Sequence, residues 1–186
     1  YNTAVGELAM GTGSVAGAIN NVAIGYKALE DIIGGDYHVA IGANALGACT
    51  GGEQNIAIGN NALDAIDGST TSGESYNIAI GTDAMSAVNS DTSDGNIAIG
   101  TNALFGGAAA AIGNVAIGHN ALDSTAANAQ TGTIAIGYQA LTALEGGAGN
   151  IAIGYQALAT HTTGDRNIVI GYQAMTTENT GVSNTA

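Results

Sequence analysis

Three histidines, one cysteine and fifteen acids are the side chains of this 186-residue chain best suited to ligate a metal or to carry acid–base chemistry. Such chemistry needs the groups to converge at defined spacings. His38, His119 and His161 fall in different repeats and different columns of the pattern set out below, which predicts no shared metal site. Cys49 is alone, so no intrachain disulfide can form. The acids sit mostly in connectors (Asp64, Asp67, Glu74, Asp91, Asp94) and no acid pair recurs at fixed spacing. The Gly-Gly-x-Gly-x-Asp calcium repeat is absent, and the glycines punctuate a repeat rather than form a phosphate cradle. The sequence therefore predicts no catalytic residues, no metal, no cofactor and no enzyme. A polysaccharide-degrading spike would need convergent acids that the pattern does not supply.

The side chains that do recur at regular spacing are amides. They belong to a nine-residue unit, N-[IV]-A-[IV]-G-x-x-A-[LM], with units beginning at Asn2, Asn21, His38, Asn55, Asn77, Asn96, Asn114, Thr133, Asn150 and Asn167. The glycines anchoring the units are 17 to 22 residues apart. A period in this range marks a solenoid or stacked array. Residues 1–186 read as a single repeat array with no separate domains. Because the chain opens and stops inside the pattern, a window of a longer fibre is expected.

The strand physics follows from the unit. In Asn55-Ile56-Ala57-Ile58-Gly59, alternation puts Ile56 and Ile58 on one face and Ala57 on the other. β-branched residues favour a pleated, packed surface, so the expectation is that the isoleucines face the core and Ala62 and Leu63 return to the same interior. One coil buries too few large side chains, at roughly 1.5–3 kcal/mol each, to offset ordering its backbone at about 1–2 kcal/mol per residue. Coils must therefore stack. Glycine density, alternation and β-branching argue against a helical repeat.

The middle strand residue is Ala in nine of ten units, with Val169 in the tenth. A ladder of small apolar residues predicts close packing against a partner, the simplest being sister chains around a threefold axis. Ala23, Ala40, Ala57, Ala79, Ala98, Ala116, Ala135 and Ala152 are thus the trimer-contact candidates. The alternative is that alanine is simply tolerated inside a tight coil. The leading asparagines Asn21, Asn55, Asn77, Asn96, Asn114, Asn150 and Asn167 are expected to form a hydrogen-bonded ladder along the fibre, or to cap their own turns. His38 substitutes within that column. A second amide column (Asn44, Asn61, Asn102, Asn120, Gln139, Gln156, Gln173) lies beside Tyr26, Tyr138, Tyr155 and Tyr172. Tyrosines beside amides suit sugar binding, scaffold surface or inter-chain contact.

Composition narrows the partners. Lys27 and Arg166 are the only basic side chains against fifteen acids, for a net charge of −13. Phosphate neutralisation needs clustered Lys and Arg, so nucleic acid is excluded as a partner and an anionic membrane surface is disfavoured. The longest apolar-looking run, 105–113, is too short to span a bilayer.

The unit resembles the head repeat of YadA-type trimeric autotransporter adhesins, of the form N-S-V-A-I-G-x-x-S. It is closer still to the N-T-A-x-G-Y-x-A-L…N-T-T-G repeats of phage tail fibres and related surface proteins. Asn2-Thr3-Ala4-Val5-Gly6, Gly171-Tyr172-Gln173-Ala174-Met175 and Thr176-Thr177-Glu178-Asn179-Thr180-Gly181 carry that wording. The resemblance covers essentially the whole chain. It implies an all-β fold: a left-handed parallel β-roll or β-solenoid of about ten coils of 17–22 residues, assembled as a homotrimeric fibre. It further implies an adhesive or receptor-reaching shaft at a cell surface or on a virion tail fibre, with itself as partner and a host surface protein or glycan as the target. The longer period and uneven connectors depart from the adhesin head and imply larger outward loops. The competing readings are a single-chain ice-binding solenoid, for which no regular Thr-x-Thr face is present, and a carbohydrate-binding solenoid.

Overall fold

The computed structural model describes residues 1–11, 17–65, 74–88, 92–106, 110–123, 129–177 and 180–186. Residues 12–14 and 68–73 of the connectors, Asp67, Asp91, and Glu178 and Asn179 of the fibre-like stretch lie outside the described residues. No helix occurs among the described residues. The strands, in chain order, are β1 (Thr3–Val5), β2 (Val22–Ile24), β3 (Val39–Ile41), β4 (Ile56–Ile58), β5 (Ile78–Ile80), β6 (Ile97–Ile99), β7 (Ala111–Ile112), β8 (Val115–Ile117), β9 (Gln130–Thr131), β10 (Ile134–Ile136), β11 (Gly147–Ala148), β12 (Ile151–Ile153) and β13 (Ile168–Ile170). The ten strands drawn from the repeat units form one parallel sheet, and β7, β9 and β11 form a second, three-stranded one. The architecture is an all-β parallel solenoid, as the period predicts.

Register is strict. Ala40 lies opposite Ala57, Ala57 opposite Ala79 and Ala79 opposite Ala98. The same residue of each unit therefore forms a column along the axis.

The direction of the strand faces reverses the expectation. Ala23, Ala40, Ala57, Ala79, Ala98, Ala116, Ala135 and Ala152 are fully buried within the single chain. They cannot be the surface that meets a sister chain. The β-branched residues on either side of them point outward, and Val5, Ile24, Ile99, Ile168 and Ile170 are exposed. The physical reason is the width of the interior. Each strand of the ten-stranded sheet has three residues, so only the middle one points in. The turn after it returns an Ala–Leu pair to the same core, as with Ala62 and Leu63 beside Ala57. With the Leu or Met column inside, the strand has room for a methyl group. A third column that sequence reading did not separate completes the core: Ile32, Cys49, Val88, Leu144 and His161, each three residues after the Leu or Met.

The turn depends on glycine. The glycines of the main column have φ between 131° and 147°, a region that residues with a Cβ rarely adopt. Space is also missing: a Cβ on Gly118 would lie 2.4 Å from the carbonyl oxygen of Gly137, and one on Gly42 would lie 2.3 Å from that of Gly59. The Gly N–H donates back one coil, as from Gly118 to the Ile99 carbonyl at 2.8 Å. Two residues on, and again at the Leu or Met, the chain enters the left-handed region, with Gln156 at φ 53° and Leu158 at 51°.

Two glycine substitutions separate these effects. Gly118→Ala meets both the forbidden φ and the backbone of the next coil, and should cost on the order of 3–5 kcal/mol. Gly95 has φ 67° and nothing within 4 Å of an added Cβ, so Gly95→Ala should cost only about 1–2 kcal/mol. Chemical denaturation followed by far-ultraviolet circular dichroism measures both. Equal losses would contradict the close stacking of the glycine column.

Candidate functional site

Three columns carry the polar and exposed chemistry of the solenoid. The first is the buried asparagine column. Each Asn uses both ends of its amide on the coil that follows. The Oδ1 accepts the backbone N–H of the next unit's first residue: Asn77 from Asn96, Asn96 from Asn114 and Asn150 from Asn167, at 2.9 to 3.0 Å. The Nδ2 donates to the carbonyl three residues before that position: Asn77 to Ser93, Asn96 to Ala111 and Asn114 to Gln130. Asn21, Asn55 and Asn167 do the same toward Gly35, Glu74 and Gly181. The ladder is a series of two-point clamps between consecutive coils. Each clamp satisfies backbone groups that would be costly to bury unpaired.

His38 occupies the column as an imidazole. Its backbone N–H donates to Asn21 Oδ1 at 2.7 Å, and its Nδ1 accepts the N–H of Asn55 at 3.2 Å. Nδ1 must therefore be unprotonated, with the proton on Nε2 toward the carbonyls of Gly51 and Gly52. Burial lowers its pKa from the ordinary 6.5 to about 4, opposed by those carbonyls and by the charge of Asp36. Beside it the Cys49 thiol donates to the Gly51 carbonyl at 3.0 Å. Burial pushes Cys49 up to about 12, so it is a core residue and not a thiolate nucleophile.

Thr133 interrupts the column. Its N–H still donates to Asn114 Oδ1, but its Oγ1 is buried without a hydrogen-bond partner.

The second column is the outward β-branched face of the ten-stranded sheet, two residues per strand. The third is aromatic. His119, Tyr138, Tyr155 and Tyr172 each follow the main-column glycine directly. Their rings stack along the axis with centroids 5.4, 5.1 and 5.1 Å apart and interplanar angles of 15°, 9° and 11°. Beside them Gln156 Nε2 donates to Gln139 Oε1 at 2.8 Å, and Gln173 Nε2 to Gln156 Oε1 at 2.9 Å. Asn44, Asn61 and Asp83 continue the amide column through side-chain hydrogen bonds.

The structure thus sends the three histidines to three places. His38 is in the amide ladder and His119 heads the aromatic stack. His161 lies in the third core column, its Nε2 3.3 Å from Asn167 Nδ2. Sequence reading missed the membership of His119 in the tyrosine column, although its place after Gly118 signals it. It also missed the core role of His161, signalled by its distance from Leu158. Among the described residues no three of His, Cys, Asp and Glu come together in a metal-binding group, and no helix is long and apolar enough to cross a membrane. No family model matches the chain, and comparison with curated proteins and with solved structures returns no match.

Two predictions follow from the ladder. Protonating His38 removes the acceptor for the Asn55 N–H. Because its folded pKa lies below its unfolded value, its contribution is complete above pH 6.5 and is lost as pH falls from 6.5 to about 4, for a total of about 3 kcal/mol. His38→Asn restores the ladder chemistry without a titrating ring. Denaturation across pH 4 to 7 should show a smaller acid loss in the variant by that amount, and identical pH profiles would refute the assignment. Thr133→Asn should raise stability by about 1 kcal/mol, read as a higher denaturant midpoint at unchanged slope; an unchanged or lower midpoint would count against the clamp.

Proposed function

We propose that the chain is a structural fibre or adhesin shaft, extracellular at a cell surface or carried on a virion tail fibre, that extends and presents host- or surface-binding regions. In this reading it is a left-handed β-roll of about ten coils of 17–22 residues, and three copies associate side by side around a threefold axis. The repeat's resemblance to YadA-type head repeats and tail-fibre repeats supports it.

The observation that carries the reading is the outward face of the ten-stranded sheet. Its strands are V-A-I, I-A-I or I-V-I from β2 to β13, so every outward position there is Val or Ile. No charged or polar side chain interrupts these two columns. A continuous, uncharged apolar strip on a parallel sheet is the kind of surface that marks an interaction site. Cyclic symmetry lets one such strip per chain meet its equivalents and close. The threefold contact is thereby assigned to the β-branched face, in place of the alanines. The acids sit mainly in turns and connectors away from it, where they keep a particle of net charge −13 soluble.

Light scattering after size exclusion should give three times the 18.1 kDa of one chain. The double variant Ile99→Lys/Ile117→Lys should fall to the single-chain mass while keeping its β-sheet spectrum, and Tyr155→Ser should not. A parent that runs as a monomer at micromolar concentration would overturn the assembly.

A further inference from the structure

The aromatic column in the turns after β8, β10, β12 and β13 is exposed, with a glutamine column, partly buried at Gln139 and Gln156, beside it, and the fold does not require this row. Residues elsewhere in the Tyr column include Glu7, Ala43, Asn60, Thr82 and Thr101, so the coil closes without a ring there. At the end of the array the row becomes uniform: Tyr138, Tyr155 and Tyr172, each followed by Gln.

Stacking decides how this row can bind. Tyr138 lies between His119 and Tyr155, and Tyr155 between Tyr138 and Tyr172. Their inner faces are covered, so a sugar cannot lie flat on either ring. Ring edges and hydroxyls remain, and all three tyrosines are exposed. Each glutamine–glutamine bond uses one N–H of an amide that has two and one lone pair of an oxygen that has two. Each coil thus presents one hydroxyl and one amide, repeated every 5.1 Å with little rotation from coil to coil.

From this geometry we infer that the row binds an extended, uncharged β-1,4-linked polysaccharide running along the solenoid axis, with one pyranose per coil. The step of the row is close to the length of one pyranose in such a chain. A straight ribbon can keep register with a straight row, whereas an α-linked chain winds away from it. The row has no cation to recognise an acidic glycan, and the chain's net charge of −13 repels one. Three coils give a weak site per chain, and affinity grows where several rows engage the same polymer. The inference names a partner for the exposed row and holds for any number of chains in the particle.

Native affinity electrophoresis tests it with the intact chain. Gels containing hydroxyethyl cellulose should retard the protein, and gels containing dextran or polygalacturonate should not. The triple variant Tyr138→Phe/Tyr155→Phe/Tyr172→Phe keeps the stacked rings and removes only the hydroxyls; it should weaken retardation at least tenfold at unchanged melting temperature. No retardation of the parent, equal retardation by dextran or polygalacturonate, or equal retardation of the triple variant would overturn the inference. The mass of each sample, measured alongside, separates this result from the assembly: a monomeric parent that is still retarded refutes the trimer and leaves the glycan row standing.

Discussion

Each coil of this chain rests on the next at a point where no Cβ fits. The glycine column combines a φ near 135° with an approach close enough that an added methyl would meet the neighbouring backbone. The rest of the geometry depends on that contact. It turns the chain out of a three-residue strand and lets the Ala–Leu pair return beneath it. It also sets the coil separation at which the strand amides reach their partners. The cost is a set of left-handed residues in every coil, leucines among them, at about 1–2 kcal/mol each. Burial of the Leu and Met column, at roughly 1.5–3 kcal/mol per side chain, offsets it.

The asparagine clamp explains why connectors can vary while the core does not. The amide grips two fixed points on the next coil, the first N–H of the unit and the carbonyl three residues before it. The chain separation spanned by the second grip runs from 14 residues between Asn21 and Gly35 to 19 between Asn55 and Glu74. Extra residues fall before the gripped carbonyl in the chain, so a longer connector leaves the register undisturbed. Loop length then costs little, since closure entropy grows slowly with length. A solenoid stabilised by nearest-neighbour contacts can carry such variation coil by coil.

Much of this was legible in the sequence. The period, the parallel stacking, the asparagine ladder and the role of His38 within it all follow from residues that recur at one position of the unit. The direction of the strand was not. Alternation separates Ala57 from Ile56 and Ile58 but is silent on which face is inside, and the usual preference for burying the larger residue pointed the wrong way. The deciding fact is three-dimensional: the interior is so narrow that the returning Leu fills it. The places of His119 and His161 follow from their spacing to Gly118 and Leu158 in the repeat, and not from the metal-ligand chemistry of histidine. The partner of the outward face is not written in one chain, since a row of Val and Ile reads the same whether water or another chain lies against it.

Residue-resolved amide hydrogen exchange tests the central claim most directly, because it reports the backbone donors that the two columns hold. The account predicts that the N–H groups of His38, Asn55, Asn96, Asn114 and Asn167, together with those of the main-column glycines from Gly25 onward, exchange in one slow, cooperative class. Their acceptors lie on the preceding coil, so these N–H groups are freed only when coils separate. Exchange of these amides at the rate of exposed connector amides, while the strand isoleucines stay protected, would contradict the clamp and the stacking built on it.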